Sequence, residues 1–165
     1  MARLEVVPYD RSWPARYEAE AERLRSALGS TLRVLEHVGS TSVPGLAAKP
    51  VVDVAASVEA FDDLDVGALE ALGYRYVPKF EEELPNRRYF TRGDYHLHVY
   101  EQEHEEFMDY VRFRDYLRTH PEDAQAYGDL KLRLAAEHGD DRAGYQAAKA
   151  PFVARLVEIL RRSEG

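Results

Sequence analysis

The sequence predicts an α+β fold in which a mixed β-sheet is followed by a bundle of C-terminal helices. Three observations support this prediction. Alternating or β-branched stretches end at residue 101, only helical periodicity follows residue 103, and Gly or Pro marks most of the boundaries. We expect the order α-β-β-α-β-β-β-α-α-α in a single domain of residues 1–165, with the sheet in residues 1–101 and the last helices in residues 103–162.

The first predicted elements are one helix and two strands. Pro14 marks the start of the helix, because proline is tolerated in a first helical turn, and Gly29 marks its end. Residues Leu32–Val38 alternate between apolar and polar side chains, as a strand with one buried face does. Residues 51–55 are apolar and β-branched, which indicates a short strand buried on both faces.

A second helix and three more strands complete the predicted sheet region. Residues 59–72 have apolar side chains at helical spacing and are followed by a glycine. Residues 74–77, 87–91 and Tyr95–Glu101 alternate as strands do, and Gly93 provides turn chemistry before the last of them. This arrangement suits a mixed sheet that is backed by helices.

The C-terminal third is predicted to form three helices. The first places Phe107 and Leu117 on one face, and Pro121 starts the second. The third carries apolar residues as far as Leu160 and contains Pro151, which predicts either a kink or the start of a new helix.

The composition excludes several classes of function. The chain has 165 residues, no cysteine and a formal net charge of −8. Disulfides, thiolate nucleophiles and cysteine zinc sites are therefore excluded, and an acidic chain is a poor candidate for non-specific nucleic-acid binding. No segment is apolar and long enough to span a membrane, and the first ten residues lack the apolar core of a signal peptide. We expect a cytoplasmic protein without a membrane partner.

The loop between the first two strands carries the strongest indication of chemistry. Gly39 has no Cβ and lets the backbone approach a ligand, and Lys49 adds a positive charge at the far end of the loop. Backbone N–H groups beside several hydroxyls suit an anion, phosphate above all. The alternative is an ordinary loop without a ligand. The hydroxyls belong to Ser40, Thr41 and Ser42.

A metal site is predicted on the strands that follow this loop. Asp53 is a hard oxygen ligand suited to Mg²⁺ or Mn²⁺. His96 and His98 lie two residues apart on a predicted strand, so they face one side, where they can bind Mn²⁺ or contact phosphate. The alternatives are an aspartate that caps or pairs and two surface histidines without a role. A phosphate cradle beside a carboxylate favours metal-assisted phosphoryl transfer.

Several separated motifs resemble the GrpB family. They are HVGSTSVPGLAAKPVVDV at residues 37–54, RRYF at 87–90, HLHV at 96–99 and FRDYLRTHP at 113–121. The likeness continues through Lys131 and the block with Tyr145 and Lys149, so it covers nearly the whole chain. This family is in turn similar to the polymerase-β-type nucleotidyltransferases, which implies a core of that type in residues 1–101.

The resemblance implies a nucleotide site but also shows one departure. In that superfamily a Gly-Ser pair opens the loop and the next strand carries Asp-x-Asp or Asp-x-Glu, which correspond here to Gly39, Ser40 and Asp53. Ala55 stands where the second carboxylate belongs. Two-metal phosphoryl transfer uses shared carboxylates. Other ligands must therefore complete the site, or a single metal must suffice, or the protein binds a nucleotide without turnover.

An acidic protein that binds a triphosphate must concentrate positive charge around it. We expect two or three cations from the family motifs to line a cleft between the sheet and the helices. For any one of them the alternative is an ordinary surface cation paired with an acidic residue. The candidates are Arg87, Arg88, Arg114, Lys131 and Lys149.

Two functional hypotheses follow. The first is a Mg²⁺- or Mn²⁺-dependent nucleotidyltransferase in which Asp53 is the catalytic residue, an NTP is the donor and the acceptor is unknown. The second is a non-catalytic nucleotide-binding or regulatory domain that has lost the second metal carboxylate. A histidine-triad hydrolase is disfavoured, because Tyr100 stands where its third histidine belongs.

Overall fold

A five-stranded mixed sheet forms the centre of the computed structural model, which describes residues 5–164. The strands are β1 (Leu32–Val38), β2 (Val52–Val58), β3 (Arg75–Tyr76), β4 (Arg88–Arg92) and β5 (Tyr95–Glu101). Their order in the sheet is β1-β2-β5-β4-β3. Strands β2 and β5 are parallel, and the other neighbours are antiparallel. The predicted α+β class with a mixed sheet is therefore confirmed.

Helices cover both faces of this sheet. Within the described residues they are α1 (Trp13–Leu28), α2 (Val66–Ala71), α3 (Glu105–Thr119), α4 (Pro121–His138) and α5 (Arg142–Glu164). Helices α1 and α2 pack on one face, α3 packs on the other, and α4 and α5 pack against α3. None of these helices is both long and apolar enough to cross a membrane.

The two faces of the sheet carry different side chains, because successive residues of a strand point in opposite directions. Val54 and Leu97 belong to the main core under α1 and α2. Ala55 and Tyr100 lie on the opposite face, where they pack against Phe107 of α3 in a smaller core. The second face also carries the strand residues of the predicted site.

The segment between β2 and β3 differs from its prediction. Strand β2 continues to Val58, which is paired in register with both neighbouring strands. The helix predicted over residues 59–72 is too long, since α2 begins only at Val66. Asp65 caps it, since its side chain accepts a hydrogen bond from the Ala68 N–H at 2.9 Å. Before that cap, the Glu59 N–H donates to the Thr31 carbonyl and the Phe61 N–H donates to the Glu101 side chain. These long-range hydrogen bonds override the local helical spacing.

Helix α5 is continuous, although Pro151 lies inside it. The prediction that a new helix starts there is wrong. Proline removes one hydrogen bond of the helix, but Pro151 is exposed, so water can solvate polar groups on that side of the helix. One unbroken helix therefore carries the residues on both sides of Pro151.

Candidate anion-binding site

A cavity of about 760 Å³ lies between the second face of the sheet and the C-terminal helices. The loop after β1, the strands β2 and β5, and the helices α3, α4 and α5 all contribute to its lining. The segment before β4 adds Leu84 and Arg87. Residues as distant in sequence as Gly39 and Lys149 meet here, so tertiary packing forms the cavity.

The carboxylate of Asp53 lies against the backbone of Gly39. Gly39 has φ +73°, and a Cβ added there would lie only 2.6 Å from Asp53 Oδ2. A side chain at position 39 is therefore disfavoured both by conformation and by space. The glycine bend and the carboxylate meet directly at one wall of the cavity.

Strand register brings both predicted histidines to the side of Asp53. Asp53 pairs with His96 across β2 and β5, and His98 follows two residues later on the same face. Arg87 can only donate, and its guanidinium lies 3.2 Å from His98 Nδ1. His98 therefore carries its proton on Nε2, which donates to Asp53 Oδ1 at 3.0 Å. His96 Nδ1 is 3.9 Å from the same oxygen.

Asp53 is an anion at neutral pH. Burial raises the pKa of its carboxyl group, but the hydrogen bond from His98 and the electrostatic effects of His98, His96 and Lys149 outweigh burial and lower that pKa. The bond from His98 also fixes the orientation of the carboxylate. Asp53 Oδ2 is consequently presented beside the Gly39 bend as a charged acceptor.

Three of the four lysines in the chain line the cavity, namely Lys49, Lys131 and Lys149, hereafter the lysine cluster. Lys131 is only 2% exposed, and its Nζ has no hydrogen-bond partner among the described residues. The Nζ atoms of Lys49 and Lys149 lie 4.6 and 5.5 Å from the centre of the Tyr145 ring. Burying an ammonium group without an acceptor is costly, so the cluster is suited to an anion.

Burial lowers the pKa values of the whole lysine cluster. For Lys131, burial and then the charges of Lys149 and Lys49 lower the pKa to about 7. For Lys49, burial and then the charges of Lys149 and Arg142 lower it to about 8. Burial also lowers the pKa of Lys149. Asp53 opposes all three shifts, and an added anion would oppose them further, because opposite charge favours the ammonium form.

Of the three hydroxyls predicted to bind phosphate, Ser40 lines the cavity. Thr41 and Ser42 are buried, and their hydroxyls contact neighbouring parts of the same segment. Thr41 Oγ1 lies 3.0 Å from His37 Nε2, and Ser42 Oγ donates to the carbonyl of Gly39. Their positions do not support the prediction that they contact phosphate, because the hydroxyls already have protein partners.

Two of the predicted nucleotide-binding cations, Arg88 and Arg114, lie outside the cavity lining. Arg114 is 8% exposed and pairs with Glu36, so it joins α3 to β1. Arg88 lies over the ring of Phe61 at 4.2 Å. Both guanidinium groups already contact other residues of the protein, so their positions do not support the predicted role in nucleotide binding. Arg87, by contrast, does line the cavity, as do Lys131 and Lys149.

Sequence reasoning missed the contribution of α3 to the cavity. Its lining residues repeat at the spacing of one helix face, and this periodicity was the signal available in the sequence, where it indicated only a packed core. The side chains concerned are Glu106, Asp109, Tyr110 and Phe113.

The donor set around Asp53 does not fit a resident Mg²⁺ or Mn²⁺ ion. His98 directs an N–H, rather than a lone pair, at the carboxylate, and three ammonium groups share the cavity. Over residues 5–164, no group of three His, Asp or Glu side chains is arranged to hold a metal ion. A metal at Asp53, His96 and His98 therefore stays a prediction that the geometry does not support.

Fold and cavity together define a class: an α+β protein that presents a lysine-lined cavity on one face of a mixed sheet. The chain belongs to the GrpB family, since the family model described as "GrpB protein" matches residues 3–158. The crystal structure of conserved protein GrpB from Enterococcus faecalis is 35% identical, with a TM-score of 0.87 over 98% of this chain and 100% of that chain.

Two curated relatives are longer than this chain. UPF0157 protein YqkA of Bacillus subtilis is 34% identical over 164 residues, which cover 97% of this chain and 48% of that protein. A dephospho-CoA kinase of Mycobacterium bovis is 27% identical over 178 residues, which cover 89% of this chain and 43% of that protein. The chain therefore spans about half the length of these two relatives.

Proposed function

We propose that the protein binds a nucleoside triphosphate in the cavity and transfers its nucleotidyl group to an acceptor. One observation carries the proposal: the Asp53 carboxylate, the Gly39 bend and the lysine cluster share a single cavity. A triphosphate needs several positive groups, and transfer needs an acceptor for the proton of the attacking hydroxyl. The nucleotidyltransferase-like core and the cytoplasmic location expected from the sequence are parts of this proposal.

The name of one relative is consistent with a nucleotide-related ligand. That relative is a dephospho-CoA kinase by name, and the match covers 43% of its length. A shared segment that binds a phosphorylated nucleotide derivative would suit both proteins. The cavity volume, about 760 Å³, is also in the range of pockets that bind small molecules such as a nucleotide.

In the proposed reaction the lysine cluster holds the triphosphate, and Asp53 Oδ2 accepts the proton of the acceptor hydroxyl. The hydroxyl oxygen forms a bond to the α-phosphorus. The bond from that phosphorus to the oxygen bridging to the β-phosphate breaks, and pyrophosphate leaves. His98 positions Asp53 by holding its other oxygen. Positioning and charge neutralisation supply most of the rate.

The proposal is tested with α-labelled NTP and a protein-free cell extract as the source of acceptors. We expect the wild-type protein to move label into a new product, and Asp53→Asn to lower the rate by roughly 10²- to 10⁴-fold, because the proton acceptor is lost. Asp62→Asn is the matched control, since Asp62 is exposed and outside the cavity lining. Equal transfer by the wild type and by Asp53→Asn would overturn the proposal.

A second candidate function is nucleotide binding without turnover, and Ala55 favours it. Ala55 is 0% exposed and packs among Val38, Tyr100 and Phe107, so a second carboxylate has no space at that position. This candidate predicts stabilisation by NTP, about 2.7 kcal/mol at 100 times the Kd. It also predicts no label transfer with Mg²⁺ or Mn²⁺, which separates it from the first candidate.

A further inference from the structure

We propose that Lys49, Lys131 and Lys149 hold the polyphosphate part of the ligand in place of a divalent metal ion. The inference rests on the proposed function only in taking the ligand to contain a polyphosphate group. It concerns how the negative charge is neutralised, and it holds for inorganic polyphosphate and for a nucleotide alike.

The distribution of lysine in the chain is the first argument. The chain has four lysines, at positions 49, 79, 131 and 149, among 22 basic residues. All of them except Lys79 line the cavity. An ammonium group is a compact charge with three donors on a flexible stem, whereas a guanidinium is a planar fork. Several ammonium groups therefore surround a chain of phosphates from different directions.

Unpartnered buried donors are the second argument. Within the described residues, Lys131 Nζ and the hydroxyl of Tyr145 are both buried without a hydrogen-bond partner. The carboxylate of the cavity, Asp53, already accepts a bond from His98 on Oδ1. Phosphate oxygens would supply the missing acceptors and remove the cost of these buried groups. A divalent cation would add like charge beside three ammonium groups, which is unfavourable.

Preorganisation is the third argument. The three lysines come from three parts of the fold: the loop before β2, helix α4 and helix α5. Aromatic rings hold their ammonium groups, since Lys49 and Lys149 lie over Tyr145 and Lys131 lies 4.7 Å from the centre of the Tyr127 ring. The amino groups are thus in place before a ligand binds, in a partly dehydrated site where charge acts strongly.

Calorimetric titration with inorganic tripolyphosphate tests the inference. We expect binding in buffer that contains EDTA. Excess Mg²⁺ should weaken the affinity about tenfold, because Mg²⁺ binds the same phosphate oxygens and lowers the charge that the lysines recognise. No binding in EDTA, or tighter binding with Mg²⁺, would overturn the inference, because a metal-bridged site gives that sign.

Variants separate the lysine cluster from general electrostatic attraction. Lys131→Met and Lys149→Met should each weaken tripolyphosphate binding by about tenfold or more, since each removes one charge from the site. Lys79→Met is the matched control, because Lys79 is exposed and outside the cavity lining. Thermal unfolding of each free variant shows that it is folded. Equal affinity of Lys131→Met, Lys149→Met and the wild type would contradict the inference.

The failures of the two proposals are distinguishable. Tripolyphosphate binding in EDTA without label transfer from any NTP leaves this inference standing and removes the transferase. Label transfer that depends on Asp53, together with tripolyphosphate binding only when Mg²⁺ is present, removes this inference and leaves the transferase standing.

Discussion

Position 39 shows at the scale of a single residue why the loop sequence is constrained. The backbone of Gly39 has φ +73°, a conformation that L side chains rarely adopt, and Asp53 Oδ2 occupies the space of a Cβ. The two constraints are independent, since one is local and the other comes from β2. Gly45 has a similar φ of +82°, but a Cβ there would meet nothing within 4 Å.

Gly39→Ala and Gly45→Ala therefore separate the two constraints. We expect Gly45→Ala to lower the free energy of unfolding by about 1–2 kcal/mol, the cost of a left-handed residue. Gly39→Ala should cost a further ~1–3 kcal/mol from overpacking, because Asp53 must move. Urea unfolding of both variants measures the difference. Equal losses would mean that the contact with Asp53 carries no cost.

Arg114 determines how α3 meets β1 at the scale of whole elements. Its guanidinium pairs with Glu36 and donates to the carbonyl of His37 at 3.1 Å, and Arg114 itself is 8% exposed. Hydrogen bonds and charges of Glu36 and Asp115 raise the pKa of Arg114, although burial opposes them. The arginine thus joins a helix of the cavity to the edge of the sheet.

Arg114→Met tests whether this arginine is structural or binds a ligand. We expect a loss of about 2 kcal/mol of unfolding free energy, below the usual cost of a broken buried pair because Glu36 is 33% exposed. Tripolyphosphate affinity in calorimetry should stay unchanged. Arg133→Met is the control, since its pair with Glu137 is exposed and worth little. Weaker binding with unchanged stability would restore the nucleotide-binding role predicted from the sequence.

The distribution of charge is the main feature of the whole molecule. The chain has a net charge of −8, yet its lysines are concentrated in one partly dehydrated cavity. Surrounding an ammonium group with protein costs stability when no anion is bound. The free protein therefore loses some stability by keeping these lysines in the cavity, as proteins commonly do at functional sites, which agrees with the proposed binding role.

This cost predicts how stability depends on pH. Lys131 has a pKa of about 7 when folded and about 10.4 when unfolded, so between these values the unfolded chain binds more protons and stability rises with pH. The groups that face Lys131 include Lys49, Lys149 and Asp53, and Lys49 shifts in the same direction.

We therefore expect the wild-type free energy of unfolding to increase from pH 7 to pH 9, by at most about 1.4 kcal/mol per pH unit for each lysine. Lys131→Met should flatten part of this slope and be more stable than the wild type at pH 7. Urea unfolding across this range measures both effects. An identical slope in Lys131→Met would show that Lys131 stays charged in the folded protein.

The sequence by itself determined the order of elements, the α+β class and the family, because periodicity and turn residues act locally. It also indicated Gly39, Asp53, Lys49, Lys131 and Lys149, which the structure brings into one cavity. Local spacing misjudged the start of α2, because long-range hydrogen bonds hold the residues before it. Of the two outcomes expected at Pro151, the start of a new helix did not occur.

Only the tertiary structure decided which side chains meet. Arg114 forms an ion pair with Glu36, and the His98 N–H donates to Asp53. The hydroxyls of Thr41 and Ser42 contact His37 and the Gly39 carbonyl. Such pairings depend on strand register and on helix packing between segments far apart in the chain. Local sequence does not encode the distances between such segments. The three lysines, from one loop and two helices, therefore meet in one cavity only when the chain has folded.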